Sequence, residues 1–444
     1  MASDYTFVKG FRTSAAYFVE NEYADYNISA TNARRVGGKV RGINWTVRQN
    51  ITKTGNVGDG RNYKQQYIGN YDANASMNFE VSDPSFLRFG MGDIAKFNDN
   101  GESDSSPFFF VEAELSGLDW EAGDATLLRG NDVTAYRRAR LRPFSMLLYD
   151  IENVPGGTVW NDNVDYLKGC MINDFSLSSG IGSPLICNVN MSVREISYRR
   201  HLEIANTPDF TSTDTSTDDY GNGELNTLTP AASLARALEP PLMYYNGGLW
   251  IDGNQLGQVT SFNYSLNHQL LIYRELGDRF IVFPQVGMRM HTLSCNVVMR
   301  LPPNSTGEPA NNQTSILELI KNHLGYPSDA AFPTSGELRP ALATNNSATS
   351  PQTTVPIEKG EIVLNLSSTS LSGAPRGMKI AVRLAAIEGF GLPVTLENGL
   401  IEIPINFSVR GYPYNRVGDG SYIGYNGPGT TFSSYKPTIS WWYG

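Results

Sequence analysis

A five-residue phrase occurs twice in this chain, and the distance between its occurrences constrains the fold more than any local motif does. Residues 190–194 read Asn-Met-Ser-Val-Arg, and residues 406–410 read Asn-Phe-Ser-Val-Arg, at an offset of 216 residues (from 190 to 406). A repeat with so long a period indicates that a complete structural unit is written twice.

Three further segments repeat in the same order at nearly the same offset. Residues 43–47 match 260–264, with Trp45 facing Phe262 at an offset of 217, and residues 147–149 match 364–366 at 217. Residues 75–81 match 293–299 at 218, through the apolar positions Ala75, Met77, Phe79 and Val81 against Leu293, Cys295, Val297 and Met299. Because four patterned segments share almost one offset, the sequence predicts one β domain present in two tandem copies.

Composition supports a β protein and disfavours several functional classes. The 444 residues are enough for two domains of about 220 residues each. A charged fraction of 18%, with 43 Gly, 23 Tyr and 20 Phe, favours strands joined by many turns. The net charge of −9 disfavours a general nucleic-acid binder, which needs a basic face to displace counterions from phosphates.

Cysteine usage and hydropathy add expectations about the compartment. The three cysteines, Cys170, Cys187 and Cys295, are too few and too scattered for a disulfide framework, so we expect buried thiols. The first residues lack the basic and apolar regions of a signal peptide. No stretch approaches 18 consecutive apolar residues, so we expect no membrane span.

The alternation of apolar and polar residues predicts the organisation of the chain. We expect an N-terminal arm without core elements at 1–35, a first copy at 36–204, a linker at 205–240, a second copy at 241–410 and a C-terminal arm at 411–444. Each copy reads as strand, long loop, strand, helix, variable region, strand, turn, strand.

The predicted elements of the two copies occupy matching positions. In the first copy a strand at 43–47 pairs with 75–81 across a loop at 52–72, and a short helix begins near Asp83. In the second copy 262–266 pairs with 291–300 across a loop at 267–287, and a helix follows at 315–324. The polar positions of the strands are mostly Asn, Ser and Thr, so we expect a sheet with one buried face and one smooth, wet, polar face.

Candidate sites for chemistry are weak throughout the sequence. The four histidines lie far apart, and none has a metal-ligand partner at motif spacing. The Gly-rich stretch 55–60 lacks the strand and helix that surround a phosphate-binding loop. The acidic run 112–124 and the basic run 136–140 read as solvated surfaces. We therefore expect a protein that is not an enzyme and has no cofactor or metal, with a function that lies in shape and assembly.

Two phrases, together with the paired long-loop hairpins and the helix behind them, carry a family resemblance. Residues 169–178 read Gly-Cys-Met-Ile-Asn-Asp-Phe-Ser-Leu-Ser, and residues 273–279 read Tyr-Arg-Glu-Leu-Gly-Asp-Arg. Over roughly 36–200 and 245–410 the chain resembles the tail tube proteins of tailed viruses. The resemblance implies two tandem β-sandwich or split-barrel domains, each with a flanking α-helix, and extended terminal arms. It further implies subunits that join their sheets in rings, which stack into a hollow tube that delivers viral DNA.

The resemblance also implies partners and contact residues. A duplicated chain would form a ring from three copies with pseudo-sixfold symmetry, and four strands per half would give about 24 lumen strands. Its partners would be other copies of the chain and the tail proteins at the tube ends. The tape-measure protein and the passing DNA would occupy the lumen without being bound specifically, and no membrane would be a partner. The chain would be assembled in the host cytoplasm and reside in the virion tail. The loops at 52–72 and 267–287 would contact the next ring through Arg61, Tyr63, Tyr67, Tyr273, Arg274, Glu275 and Arg279.

Other functions fit the same sequence. A baseplate or tube-initiator protein and a two-domain carbohydrate-binding module would share the β-rich pattern. An enzyme whose site forms only in three dimensions remains a further alternative. An outer-membrane barrel would share the aromatic, Asn and Gly content, but the predicted helix at 315–324 and the very long segments between strands argue against it.

Overall fold

The computed structural model contains most of the predicted strands, together with several elements that were not predicted from the sequence. It describes residues 13–20, 23–24, 33–54, 65–96, 108–112, 141–150, 164–199, 230–251, 254–276, 278–287, 289–299, 360–383, 385–390, 402–409 and 438–443. Strands dominate these residues, which confirms the prediction of a mainly β protein.

Within the described residues, ten strands and a short helix come before the predicted linker, a second helix lies inside it, and ten strands follow. The strands of the first half are β1 (Thr13–Val19), β2 (Arg34–Arg35), β3 (Gly38–Thr54), β4 (Gln65–Val81), β5 (Gly92–Lys96), β6 (Phe108–Glu112), β7 (Phe144–Asp150), β8 (Val164–Gly180), β9 (Ile186–Val193) and β10 (Glu195–Arg199). Those of the second half are β11 (Met243–Ile251), β12 (Asn254–Asn267), β13 (Leu271–Tyr273), β14 (Phe283–Gln285), β15 (Met290–Met299), β16 (Gly360–Thr369), β17 (Pro375–Arg383), β18 (Ala385–Phe390), β19 (Glu402–Val409) and β20 (Ile439–Tyr443). The helices are a 3-10 turn at Pro84–Leu87 that continues into α1 (Arg88–Met91), and α2 (Pro230–Ala237).

An eight-stranded antiparallel sheet runs through both halves of the chain. Its order is β3-β4-β9-β8-β12-β15-β19-β18, so four strands come from each half. The halves meet where Asp174–Gly180 of β8 pairs with Ser261–Asn267 of β12. We call this sheet the main sheet.

A second layer covers the apolar face of the main sheet. In the first half it contains β1, β7, β10 and the beginning of β8, and in the second half it contains β11, β16, β17 and β20. Side chains of both layers form one hydrophobic cluster that spans the two halves. Because burial of apolar surface is the main driving force for folding, this shared core holds the halves together.

The helix after β4 lies between the two layers. The Asp83 carboxylate accepts a hydrogen bond from the Ser85 amide at 2.9 Å, and Pro84 occupies the first turn, as the sequence predicts. A Cβ on Gly90 would come within 2.8 Å of the Phe175 ring, so the helix packs directly on β8. Phe89 contacts Phe144 of the second layer with ring centroids 4.4 Å apart. The predicted helix at 315–324 lies outside the described residues.

Two sequence expectations about loops and arms are wrong. Residues 52–54 and 65–72 belong to β3 and β4, so much of the predicted loop at 52–72 is a long hairpin ladder. Two register shifts in this ladder interrupt the simple alternation on which the prediction rested. The N-terminal segment also contributes a core strand, because β1 pairs with β7 and Tyr17 is fully buried.

The other connecting segments also hold ordered structure. Helix α2 lies in the predicted linker at 205–240, and the Ser233 hydroxyl accepts a hydrogen bond from the Arg35 amide at 3.1 Å. From the predicted C-terminal arm, β20 pairs with β17 of the second half and β6 of the first. Its Trp441 is buried against Phe110, with ring centroids 4.6 Å apart.

The ladders of the two halves have their irregularities at matching places. The β3–β4 ladder shifts register between residues 40 and 42, and the β12–β15 ladder shifts between 259 and 261. The β8–β9 ladder shifts between 172 and 174, and the β18–β19 ladder shifts between 387 and 389. In strand order and register, β3, β4, β9 and β8 therefore correspond to β12, β15, β19 and β18.

This correspondence changes one sequence match. Trp45 pairs with Ala75, as Tyr264 pairs with Leu293, and Ile43 pairs with Met77, as Phe262 pairs with Cys295. The match of Trp45 with Phe262 is therefore two residues out of register. Aromatic similarity is a poor guide to register in a strand, because a shift of two keeps every side chain on the same face. The duplication of the domain stays a prediction.

Candidate functional site

The open face of the main sheet carries short polar side chains on strands from β4 across to β19. The exposed positions include Asn74, Asn78, Asn188, Asn190, Asn263, Thr292 and Asn406. Their neighbours along each strand point into the core and are buried, for example Met77, Val189, Tyr264 and Ile405. This alternation confirms the predicted wet polar face and shows that the second layer lies on the other side.

Side chains on this polar face bond to one another across the strands. The Asn190 amide donates to the Asp174 carboxylate at 2.6 Å, and the Ser265 and Thr292 hydroxyls lie 2.5 Å apart. Arg41 and Glu80 form an ion pair at 2.8 Å. Such pairs hold the side chains close to the sheet, so the face is smooth and its charges are partly neutralised.

The two edges of the main sheet differ from its interior strands. Among the described strands, β3 pairs with β4 alone, and β18 pairs with β19 alone. Trp45 and Val47 of β3 lie on the apolar side of the sheet but remain 39% and 36% exposed. The expectation that this face of β3 is buried is therefore wrong at these two positions, although the Trp45 indole donates a hydrogen bond to the Asp165 carboxylate at the beginning of β8 at 2.9 Å.

A second candidate surface forms where the long loop of the second half meets the β3–β4 hairpin. Arg274 forms an ion pair with the Asp72 carboxylate, and the Arg279 guanidinium donates to the Gly69 carbonyl at 3.1 Å. The Tyr71 amide donates to the Arg279 carbonyl at 3.0 Å, and the Tyr71 and Phe280 rings lie 5.1 Å apart. The two segments thus form one unit, which we call the paired hairpins.

The paired hairpins expose an unusual amount of apolar surface. On the β3–β4 hairpin Ile51 and Ile68 are more than half exposed. On the second-half loop the exposed apolar side chains are Leu271, Ile272, Tyr273 and Leu276. Exposed apolar side chains that cluster in this way mark interaction surfaces.

The structure separates the predicted contact residues into three groups. Arg274 and Arg279 bond to the first-half hairpin within the same chain. Tyr67, Tyr273 and Glu275 are exposed on the paired hairpins. Arg61 and Tyr63 lie outside the described residues, and the role of all seven in contacts between rings stays a prediction.

Sequence reasoning missed the groups that attach the second-half loop to the first-half helix. His268 is buried, and its Nε2 lies 2.7 Å from the Gly90 carbonyl oxygen. Arg289 donates to the Met91 carbonyl at 3.3 Å. Burial, followed by the nearby Arg289 charge as a smaller cause, lowers the pKa of His268 to about 3. Partners 178 and 198 residues apart leave no local pattern that could have revealed these contacts.

The described residues show neither a metal site nor a membrane-spanning helix. Within them, no three His, Cys, Asp or Glu side chains are grouped as metal ligands. In the same part of the chain, no helix is long and apolar enough to cross a bilayer. The thiols of Cys170, Cys187 and Cys295 are buried and unbridged, as predicted.

Comparisons with known proteins give distant structural likenesses. No protein-family model and no curated protein matches the sequence. A chain of the anti-feeding prophage (AFP) baseplate matches 44% of this chain and 96% of its own length, at 8% identity and a TM-score of 0.24. A chain of the SPP1 tail tube matches 50% of this chain and 99% of its own length, at 9% identity and a TM-score of 0.23.

Proposed function

We propose that the chain is a structural protein of a viral tail, and that three copies form a ring that stacks into a hollow tail tube. The observation that carries this proposal is the main sheet, which has a covered apolar face, an open polar face and two edges without a further partner among the described strands. A sheet of this kind completes its hydrogen bonding when copies join edge to edge and close into a barrel.

The dimensions of such a barrel suit a conduit for DNA. Three copies of an eight-stranded sheet supply 24 strands, four from each half of each chain. With strands about 4.8 Å apart and tilted, the backbone diameter is about 40 Å, which leaves room for a double helix. The polar face lines the lumen, because the second layer occupies the other face.

The chemistry of the polar face fits passage better than binding. Most of its side chains are uncharged Asn, Ser and Thr, the Arg41 guanidinium is paired with Glu80, and its other exposed charges include both signs, as in Arg48 and Glu402. A face dominated by uncharged side chains and paired charges offers the phosphate backbone little counterion exchange, so DNA slides past it. The same face would accommodate a tape-measure protein before DNA release, and the paired hairpins would meet the next ring. We propose that this role is one of assembly, with no catalysis.

Electron microscopy of the purified protein tests the proposal. Full-length protein without detergent would be examined in negative stain, and its mass would be measured in solution over a concentration series. Hollow tubes, or rings with the mass of three chains and six lobes, are the expected result. Monomers at every concentration would contradict self-assembly, and single rings that never stack would favour a tube initiator or baseplate component.

A further inference from the structure

We propose that the chain contains, at its own centre, a copy of the contact that it makes with its neighbour: β18 of one chain pairs with β3 of the next, as β8 pairs with β12. This inference rests on the proposed ring, and it specifies which edges meet, in which direction and in which register. The partner is a second copy of this chain.

The first step is the correspondence of the two halves. Strands β3 and β12 occupy equivalent positions. The ladder of β3 with β4 and the ladder of β12 with β15 have the same succession of residue pairs and a register shift at the same place. Strands β8 and β18 are equivalent through their ladders with β9 and β19. The junction β8–β12 therefore has β18 and β3 as its counterparts, and these are the two edges of the main sheet.

Exposure supports the same conclusion independently. Val47 and Leu266 are equivalent, as are Trp45 and Tyr264, since each pair occupies the same ladder position. Leu266 and Tyr264 are fully buried beside β8, whereas Val47 and Trp45 are 36% and 39% exposed. An apolar side that is covered at the internal junction and open at the edge is the expected state of an interface without its partner.

The internal junction also sets the register. Leu266 lies opposite Phe175, and Asn267 lies opposite Asp174, in an antiparallel ladder. Transferred through the equivalent positions, Val47 of one chain lies opposite Phe390 of the next, and Arg48 lies opposite Gly389. Asp174, the equivalent of Gly389, shows that this position accepts a side chain.

Cross-linking of the full-length protein tests the register. The variant Arg48→Cys with Gly389→Cys places two thiols opposite each other at the proposed contact, on the polar side of the sheet. Within one chain these positions lie seven strands apart, about 34 Å, so a short thiol-to-thiol cross-linker joins them only between chains. The native thiols are buried, so we expect them not to react with the cross-linker.

The matched control is Asn44→Cys with Gly389→Cys. Asn44 lies on the same face of β3 but four residues away, about 13 Å along the strand. We expect covalent dimers and closed trimers from the first variant, at least tenfold more than from the control or from either single substitution. On assembly we also expect slower amide exchange at residues 43–48 of the unsubstituted protein.

The outcomes distinguish the register from the proposed function. Rings that form while the control links as readily as the first variant would overturn the register and leave the ring intact. Rings in which neither variant links and residues 43–48 exchange at the monomer's rate would show that other surfaces join the chains. A persistent monomer that never links would overturn the ring and the contact together.

Discussion

The Tyr443 hydroxyl, in the last described strand, donates a hydrogen bond of 2.7 Å to the Asp83 carboxylate at the start of the first helix. These residues are 360 positions apart, so the bond fastens the end of the second half to the core of the first. The Arg236 guanidinium lies over the Tyr443 ring, 4.3 Å from its centroid. Burial raises the pKa of Tyr443 well above its usual value, and the Asp83 charge raises it further.

Removal of this hydroxyl should weaken the fold. Tyr443→Phe leaves the buried Asp83 carboxylate without one donor, and we expect a loss of about 1–2 kcal/mol in the free energy of unfolding. Urea denaturation followed by circular dichroism measures it. The control is Tyr245→Phe at an exposed ring, which should change stability by less than about 0.5 kcal/mol. Equal effects of the two substitutions would contradict a stabilising role for this hydrogen bond.

The ion pair between Arg274 and Asp72 should couple the paired hairpins weakly and in a salt-dependent manner. Both side chains are partly exposed, so screening limits their interaction. In a double-mutant cycle with Arg274→Gln and Asp72→Asn, we expect a coupling energy of about 0.5–1 kcal/mol at low salt that shrinks at about 1 M salt. Glu275→Gln, at an exposed position of the same loop, is the control. A coupling energy of zero at low salt would count against a docked loop.

Stability should fall on mild acidification because of His268. Its pKa is about 3 in the folded protein and 6.5 as an ordinary value, so below pH 6.5 the unfolded state binds a proton that the folded state excludes. The resulting loss in the free energy of unfolding is absent above pH 6.5, grows as the pH falls, and levels off near pH 3. The groups that face His268 are Arg289 and His291.

The measurement is the difference in unfolding free energy between about pH 7 and pH 5. We expect the unsubstituted protein to lose roughly 2 kcal/mol more over this interval than His268→Gln, since each pH unit corresponds to about 1.4 kcal/mol for one proton. If the unfolding free energies of both proteins change in parallel with pH, folding does not lower the pKa of His268.

A charge at the edge strand should block assembly while the monomer stays folded. Val47→Asp adds a carboxylate at a partly exposed position, so we expect a change in monomer stability of about 0.5 kcal/mol and a loss of rings. Leu266→Asp, at the equivalent buried position, should cost roughly 4 kcal/mol or more and unfold the chain. Circular dichroism with mass measurement separates these results, and rings of Val47→Asp would argue against an interface at β3.

Basic substitutions on the polar face should make it bind DNA. In Asn188→Lys with Asn263→Lys, assembled particles would carry six new charges per three-chain ring facing the lumen. We expect them to retain short duplex DNA at low salt and to release it as salt increases, whereas the unsubstituted protein retains none. The control Ser370→Lys with Ser372→Lys, on the turn between β16 and β17, tests binding outside the lumen. Equal retention by both variants would contradict the lumen assignment.

The alternation of side chains along the sequence was sufficient to determine much of the fold. Pairing of 43–47 with 75–81 and of 262–266 with 291–299 follows from apolar residues at every second position. The Asp83-Pro84 start of the helix follows from local capping chemistry. These features need no distant partner, because strand faces and helix caps depend on neighbouring residues.

Only the tertiary structure decided the rest. The order of strands in the main sheet, the docking of Arg274 on Asp72, and the core position of Tyr17 join residues that are far apart in sequence. The exposure of Trp45 could not be predicted from the sequence either. The pattern of a strand shows which side chains share a face, but it does not show whether another element covers that face. Local sequence therefore determined which elements form and which faces are apolar, whereas contact across the fold decided which of those faces are covered and which edges stay open.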